Sequence, residues 1–254
     1  MRKIVLLGLV LTGALFAANE QSRTFNIEGT ADLSLSNISG SITISRGSAD
    51  SIQVSYEKSS DEITVKMEQN GDKVTVSTEY PQGFHGRGGV DFTVLFPPQG
   101  RLDIESVSGT IKLADVSGKI GLQTVSGNLH LERSGGEMEL NAVSGSIELS
   151  EIGSASMEAN SISGSITYKG GSLEGGDYQF NSTSGRIHIS HGSDASYKIE
   201  GRTVSGAIDS RVGDGVSVKK AKYGPLKSVS GDFNGGEVNL EVNTVSGSIT
   251  IEQD

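Results

Sequence analysis

A serine that recurs in a repeated Ser-Gly phrase is the first candidate for chemistry in this chain. Each copy consists of a β-branched residue, Ser-Gly, one further residue and an apolar residue, as at positions 107–111. A nucleophilic serine needs a positioned base and a setting that other serines do not share. Because this serine recurs along the chain, we predict a structural ladder whose hydroxyls bond to one another or to corner backbone groups. The ladder consists of Ser108, Ser126, Ser144, Ser163, Ser184, Ser205, Ser230 and Ser246.

Two histidine–carboxylate pairs are the next candidates, here for acid–base chemistry. We expect His130 beside Glu148, and His188 beside Asp209, each one coil apart in a repeat structure. Carbohydrate-cleaving β-helices need carboxylates clustered on one face. The outward column that holds these residues also contains Lys112 and several threonines, so its charges are mixed. We therefore interpret the pairs as surface ion pairs and expect no catalytic residues.

The same histidines could bind a metal only with further ligands. His188 and His191 are three residues apart, which places their side chains on opposite sides of a strand. A zinc site needs at least three convergent ligands, and the chain contains no cysteine. The calcium-binding nonapeptide requires Gly-Gly-x-Gly-x-Asp, and nearly every repeat lacks that aspartate. We expect neither a metal site nor a cofactor.

One segment resembles neither a strand nor a tight turn and is the candidate binding loop. It runs through positions 80–89 and combines Tyr80, Phe84, His85 and Arg87 with four glycines. Exposed loops carry binding residues more often than the scaffold does. An insert without a role is the alternative. No helix follows to receive an anion, so a phosphate-binding loop is excluded.

The repeat itself must position all of these residues. A copy too short to bury a face alone has to stack on its neighbours, which predicts a β-solenoid with a shared core. Ten glycines mark the copies, and the residue two positions later is always Ile, Leu or Phe. Eight of them are taken as the structural repeat: Gly109, Gly127, Gly145, Gly164, Gly185, Gly206, Gly231 and Gly247. The other two are Gly40 and Gly118.

Alternation with period two predicts which side chains enter the core. It places Val107, Gly109 and Ile111 on the inner face, and Ser108 and Lys112 on the outer face. Copies spaced by nine residues early and about twenty later predict about two strands per coil. We expect an all-β, right-handed, single-stranded β-helix, because right-handed crossovers are the rule between parallel strands.

The chain divides into three parts. Residues 1–18 contain Arg2 and Lys3 before an apolar run at 4–16, the pattern of a secretory signal peptide cleaved near Ala17 or Ala18. A membrane anchor is the alternative, but the run is shorter than the roughly 20 residues that span a bilayer. Residues 22–100 are predicted to form an N-terminal β-rich cap, and residues 101–254 the solenoid of Ser-Gly repeats.

Composition restricts the partners. The formal net charge of −10 at pH 7 repels phosphate backbones, which argues against nucleic acid. Export without retention of the leader predicts a protein of the periplasm, the cell surface or the medium, with no stable membrane span. Few charged residues follow the last strand, so we expect a lightly guarded C-terminal coil that could self-associate.

The arrangement resembles a bacterial family of exported β-strand-repeat proteins labelled "putative adhesins", a domain of unknown function. Three motifs carry the resemblance: Phe25-x-Ile27 with Leu33-x-Leu35-x-x-Ile38-Ser39-Gly40-x-Ile42-x-Ile44, then Phe96-Pro97-Pro98-x-Gly100-x-Leu102-x-Ile104, then the recurrent Ser-Gly-x-Ile-x-Leu. The resemblance spans nearly the whole mature chain. It implies an extracytoplasmic β-solenoid and leaves its ligand open.

Three functions remain open at this stage. The first is a non-catalytic adhesin-like module that binds an envelope glycan or protein through Ser/Thr/Asn-rich faces. The second is a scaffold that self-assembles through the C-terminal coil. The third is a polysaccharide-acting β-helix enzyme, against which the mixed outward column argues.

Overall fold

The computed structural model describes residues 21–83, 88–171, 173, 175–213, 215–222 and 224–254. All regular secondary structure in these residues is β-strand, which confirms the all-β prediction. No helix capable of crossing a bilayer occurs in them. The predicted signal peptide, residues 1–18, lies outside the described residues.

Twenty-three strands follow each other along the chain. They are β1 (Gln21–Asn26), β2 (Ala31–Ser39), β3 (Ile42–Arg46), β4 (Ser51–Lys58), β5 (Thr64–Asn70), β6 (Lys73–Glu79), β7 (Val90–Phe96), β8 (Gln99–Ser108), β9 (Ile111–Ala114), β10 (Ser117–Ser126), β11 (Leu129–Glu132), β12 (Gly135–Ala142), β13 (Ile147–Ser150), β14 (Gly153–Ser161), β15 (Ile166–Gly171), β16 (Asp177–Ser182), β17 (Ile187–His191), β18 (Tyr197–Thr203), β19 (Ile208–Arg211), β20 (Val216–Lys220), β21 (Lys227–Phe233), β22 (Val238–Thr244) and β23 (Ile249–Gln253).

The strands form two large sheets, most of whose pairs are parallel. Sheet A has the order β1-β4-β7-β3-β9-β11-β13-β15-β17-β23-β19. Sheet B has the order β20-β21-β18-β22-β16-β14-β12-β10-β8-β2-β6-β5. From β8 to β19 the chain alternates between the sheets, so each repeat adds one strand to each of them.

Stacking in register places like residues above one another. Ile120 of β10 pairs with Leu102 of β8 on one side and with Met138 of β12 on the other. In sheet A, Leu129 pairs with Ile111 and Ile147 in the same manner. All of these side chains are buried between the sheets, so the core is one continuous column of apolar residues.

The repeat glycines are required by the close approach of successive coils. A Cβ atom on Gly145 would overlap the carbonyl oxygen of Gly127, and one on Gly127 would overlap that of Gly109. Gly118 lies at the start of β10, at the opposite corner, which explains the half-length spacing around it. Gly231 lies in β21, where it pairs antiparallel with Ile199, and so departs from the column of the other repeat glycines.

The N-terminal region shares both sheets with the repeats. β2 pairs parallel with β8, and β3 pairs parallel with β9, so the first Ser-Gly copy belongs to the stack. Antiparallel pairs end both sheets on this side: β1 with β4 in sheet A, and β5 with β6 in sheet B. The boundary at residue 100 stays a prediction, whereas the strands before it continue the sheets of the strands after it.

The C-terminal strands lie inside the stack. β22 is inserted between β16 and β18, and β23 between β17 and β19. Ile249 and Ile251 are fully buried there. The expectation of an exposed C-terminal coil that self-associates is therefore wrong in its premise. Because β21 runs antiparallel to β18, the chain reverses at that end, and the last coil returns into the sheet.

Candidate binding groove

The β-branched residue of the Ser-Gly phrase is exposed. Val107 is 50% exposed and Ile162 is 52% exposed, whereas Ile111 is fully buried. The prediction that Val107 faces the core is wrong, because alternation restarts at the corner. In β8 the inward residues are Leu102, Ile104 and Ser106, so Val107 points outward before the chain turns into sheet A.

Parallel stacking turns these exposed residues into a ladder. Adjacent strands of sheet B bring each one next to the equivalent residue of the neighbouring coil. At about 4.8 Å per strand, the ladder is about 34 Å long. We name it the apolar ladder, and its members in spatial order are Val204, Val245, Thr183, Ile162, Val143, Val125, Val107 and Ile38.

A second ladder of amide side chains runs beside the first. Asn243 Nδ2 donates to Asn181 Oδ1 at 3.2 Å, and Asn181 Nδ2 donates to Asn160 Oδ1 at 3.1 Å. Asn160 Nδ2 in turn donates to Asn141 Oδ1 at 3.0 Å. Each of these residues precedes its motif serine by three positions. The Asn ladder therefore bonds four coils together along the rim of the apolar ladder.

Between the two ladders lies a column of buried small polar residues at the corner. Ser161 Oγ donates to the Gly145 carbonyl at 3.3 Å, and Thr203 Oγ1 donates to the Gly247 carbonyl at 3.1 Å. This column, and not the motif serine, supplies the predicted hydrogen bonds to the corner backbone. The motif serines from Ser108 to Ser205 are exposed, with Ser126, Ser144, Ser163 and Ser184 between them.

Together the ladders line a groove of about 910 Å³. Its walls extend from Ile38 and Thr78 at one end to Arg202 and Leu226 at the other. A row of exposed apolar side chains of this length is more often an interaction site than a chance exposure of apolar residues. The groove is the best-formed candidate site in the described part of the chain.

Cations gather at the Arg202 end of the groove. Ser228 of β21 pairs with Arg202 of β18 and also with Lys219 of β20, so the two cations share one face about 10 Å apart. Neither forms an ion pair with any described residue. At the opposite end the rim carries Glu105. The two ends of the groove therefore differ in charge: the Arg202 end is positive and the Glu105 end is negative.

Comparison with the sequence profiles of known families shows which family the chain belongs to. The sequence profile of Toastrack DUF4097 matches residues 99–174 and 137–252. The chain belongs to this family. The match confirms the family resemblance that the Ser-Gly repeats carry, and no curated protein matches the sequence significantly.

Three solved structures resemble this Toastrack protein over nearly its whole length. A "putative cell adhesion protein" from Clostridium sporogenes shares 12% identity with a TM-score of 0.32, over 93% of this chain and 100% of that one. A "putative adhesin" from Bacteroides fragilis shares 10% identity with a TM-score of 0.43, over 92% and 98%. A "putative lipid binding protein" from Parabacteroides distasonis shares 14% identity with a TM-score of 0.39, over 93% and 97%. Likeness at this level carries no functional argument.

The histidine–carboxylate pairs of the Toastrack stack are separate surface contacts. His130 Nδ1 lies 2.9 Å from Glu148 Oε2, in the neighbouring coil, as expected. His188 Nε2 lies 3.2 Å from Glu252 Oε1 and is not beside Asp209, because β23 is inserted between their strands. The sequence could not reveal this insertion, since both strands fit the same repeat.

His191 is buried and forms hydrogen bonds within the core. Its Nδ1 lies 2.9 Å from the Gly192 carbonyl, which makes Nδ1 the protonated nitrogen, and its Nε2 accepts a hydrogen bond from Tyr197 Oη at 2.8 Å. Burial raises the pKa of Tyr197. The ring of Phe233 stacks on that of Tyr197 at 5.3 Å. Within the described residues, no group of three His, Asp or Glu side chains could hold a metal ion.

The candidate binding loop is described only at its ends. Tyr80 is partly buried, its Oη donates to the Gly88 carbonyl at 3.4 Å, and burial raises its pKa. It lines a second cavity of about 860 Å³ with Asp91 and other residues. Phe84, His85 and Arg87 lie outside the described residues, so the binding role of the loop stays a prediction.

Sequence reasoning missed the Asn ladder and the exposure of the apolar ladder. A signal for the former was present: Asn precedes the motif serine by three positions at Asn141, Asn160, Asn181 and Asn243. Such a recurrence on parallel strands predicts stacked amides. The apolar ladder could have been found by continuing the alternation along each strand of sheet B to the end of that strand.

Proposed function

We propose that this Toastrack protein is a non-catalytic binding module of the bacterial cell envelope and that the apolar groove is its binding surface. The observation that carries the proposal is the apolar ladder, in which seven Val and Ile side chains lie exposed in one row. Leaving such a row in water is unfavourable, and a ligand that covers it recovers the free energy of apolar burial.

Catalysis has no support in the geometry. The motif serines from Ser108 to Ser205 are solvent-exposed members of a repeated column. Of the histidines that the structure describes, His130 and His188 form isolated pairs and His191 forms internal hydrogen bonds. A glycosidase needs two carboxyl groups facing one cleft. The groove instead presents mainly Val, Ile and amide groups, and its lining contains one carboxyl group, Glu105, without a second one facing it.

We further propose that residues 1–18 are a signal peptide, so that the protein acts in the periplasm or at the cell surface. The stack is proposed to be a right-handed solenoid with about two strands per coil. Its partner is then a component of the envelope, and its net charge of −10 disfavours nucleic acid in any compartment.

Sedimentation with envelope fractions tests the function. The wild-type protein is expected to bind membrane and wall material saturably. The double variant Ile162→Gln/Val245→Gln is expected to lose at least ten-fold in affinity, since both residues lie in the groove. The matched control is Leu95→Gln, because Leu95 is also exposed but lies in sheet A away from the groove. Absence of saturable binding, or equal binding by the double variant, would overturn the proposal.

A further inference from the structure

We propose that the groove holds a lipid with a single hydrocarbon chain and an anionic head, the chain along the apolar ladder and the head at Arg202 and Lys219. This inference rests on the proposed function, because it names the class of envelope component that the groove binds. Three features of the groove support it: its shape, the hydrogen bonds within the Asn ladder, and its charge.

The shape of the groove favours a linear apolar chain. The ladder is one residue wide and about 34 Å long, and the column of small buried residues lies between it and the Asn ladder. The hydrocarbon core of a bilayer is about 30 Å thick, so one acyl chain extends about 15 Å. A chain whose head lies at Arg202 would therefore cover Val204, Val245, Thr183 and Ile162.

The amide hydrogens of Asn160 and Asn243 on the rim are already used. Asn160 Nδ2 donates both to Asn141 Oδ1 at 3.0 Å and to Glu158 Oε1 at 2.9 Å. Asn243 Nδ2 likewise donates to Asn181 and to Glu241 Oε1, the latter at 2.8 Å. A glycan is recognised through many hydrogen bonds to its hydroxyls, and these amide hydrogens are not available for them. A hydrocarbon chain requires none.

Charge complementarity determines where the anionic head group of the lipid binds. Arg202 and Lys219 share a face at one end of the groove, and neither is neutralised by a described carboxylate. A carboxylate or phosphate between them would form charge-assisted hydrogen bonds. The opposite end carries Glu105, which repels an anion. The head group can therefore bind at one end only, which fixes the orientation of the chain.

The charge on the outer face of sheet B favours binding of a single lipid molecule over attachment of the protein to a membrane surface. An exposed acidic column runs next to the Asn ladder, so a bilayer containing anionic lipids is repelled along the groove. The column contains Glu200, Glu241, Glu158, Glu139 and Asp103. A single lipid can lie in the groove without bringing other anionic heads against this column.

Titration of the purified protein with fatty acids tests the inference. Dodecanoate and hexadecanoate are the anionic probes, used below their micelle concentrations, and hexadecanol is the neutral probe. Affinity should rise about fourfold for each added CH₂ group. Ile162→Gln/Val245→Gln should weaken hexadecanoate binding at least ten-fold, with Leu95→Gln unchanged.

The head-group site has its own matched variants. Arg202→Gln/Lys219→Gln should weaken hexadecanoate binding at least five-fold and leave hexadecanol binding unchanged. Lys198→Gln is the control, because Lys198 is an exposed cation of the same strand that lies outside the groove. Equal loss for both probes in the double variant would show that the cations do not hold the head.

The outcomes separate the two proposals. If the wild-type protein does not bind hexadecanoate but binds envelope material through the groove, the lipid inference fails and the proposed function stands. If it binds hexadecanoate through the groove but no envelope material, the lipid site stands and the envelope role fails. Binding to anionic vesicles that is independent of Ile162 and Val245 would overturn the lipid site in favour of surface attachment.

Discussion

Asn243 donates a hydrogen bond of 3.2 Å to Asn181, although 62 residues separate the two along the chain. The bond exists because β22 lies directly beside β16, with the coil of β18 and β19 displaced outward. Both C-terminal strands, β22 and β23, are thus interior strands with a neighbour on each side. Their integrity should matter more for stability than their position at the end of the sequence suggests.

Ile249→Lys should destabilise the protein severely. The side chain is fully buried in β23, which lies between β17 and β19 in sheet A, so the substitution places an unpaired ammonium group in the core. We expect a loss of about 4 kcal/mol or more in the free energy of unfolding, measured by chemical denaturation. Val245→Lys, at an exposed position of the same coil, should cost less than about 1 kcal/mol. Equal effects of the two substitutions would contradict the inserted position of β23.

Gly145→Ala should reveal the close approach of the coils. The added Cβ would overlap the carbonyl oxygen of Gly127, so the two coils must separate or the backbone must shift. A loss of about 1–3 kcal/mol is expected, measured by denaturant titration. Gly153→Ala is the control, because a Cβ there meets no atom and the backbone has no positive φ. If Gly145→Ala proved as harmless as Gly153→Ala, the stacking of these glycines would be wrong.

Asn160→Ala should break the centre of the Asn ladder. The substitution removes the bond donated to Asn141 and the one accepted from Asn181. We expect a loss of about 1–2 kcal/mol in unfolding free energy. The control is Gln123→Ala, an exposed residue of the same column, which should change stability by less than about 0.5 kcal/mol. Calorimetric melting of both variants distinguishes a bonded ladder from a row of solvated amides.

Stability should fall at alkaline pH because of Tyr197. Burial raises the pKa of its phenol above the unfolded value of about 10. Its contribution is therefore fully present below pH of about 10 and is lost as pH rises above that value towards the folded pKa. Denaturant titrations between pH 8 and 11, a range of about three units, measure the slope of the free energy of unfolding against pH. In Tyr197→Phe the slope should be smaller, even though the bond to His191 is lost at all pH values.

The proposed export predicts a defined new N-terminus. If residues 1–18 are a signal peptide, intact-mass measurement of the exported protein should give a chain that begins at Ala18 or Asn19. The small residues Ala17 and Ala18 suit the cleavage site. A chain recovered from the membrane fraction with Met1 or Arg2 still present would show that the leader is retained as an anchor.

Local pattern predicted the strands and much of the core but not their spatial order. The inward placement of Ile111 is correct, because alternation holds within one strand. Val107 was misplaced, because the corner at Ser-Gly changes which face each position occupies. The insertion of β23 was also unpredictable. Each motif contains the same kind of apolar strand. The sequence is therefore as compatible with His188 lying beside Asp209 as with His188 lying beside its observed neighbour, Thr250.

The groove was missed for a related reason. Its residues are contributed one by one from coils that lie up to 207 positions apart, from Ile38 to Val245. No short motif contains more than one rung of either ladder. The binding surface emerges only from the register between strands, which depends on tertiary stacking and not on local propensity.

The inserted last coil also determines when the molecule can be completed. While β18–β21 emerge during synthesis, the strand positions beside β16 and β17 have no final occupant, because β22 and β23 follow these strands in the chain. Until then β17 presents open backbone groups, or pairs temporarily with β19. Closure of the sheets therefore has to await the emergence of β22 and β23. A chain truncated before β22 lacks the strands that lie between β16 and β18 and between β17 and β19, which leaves backbone groups open to aggregation.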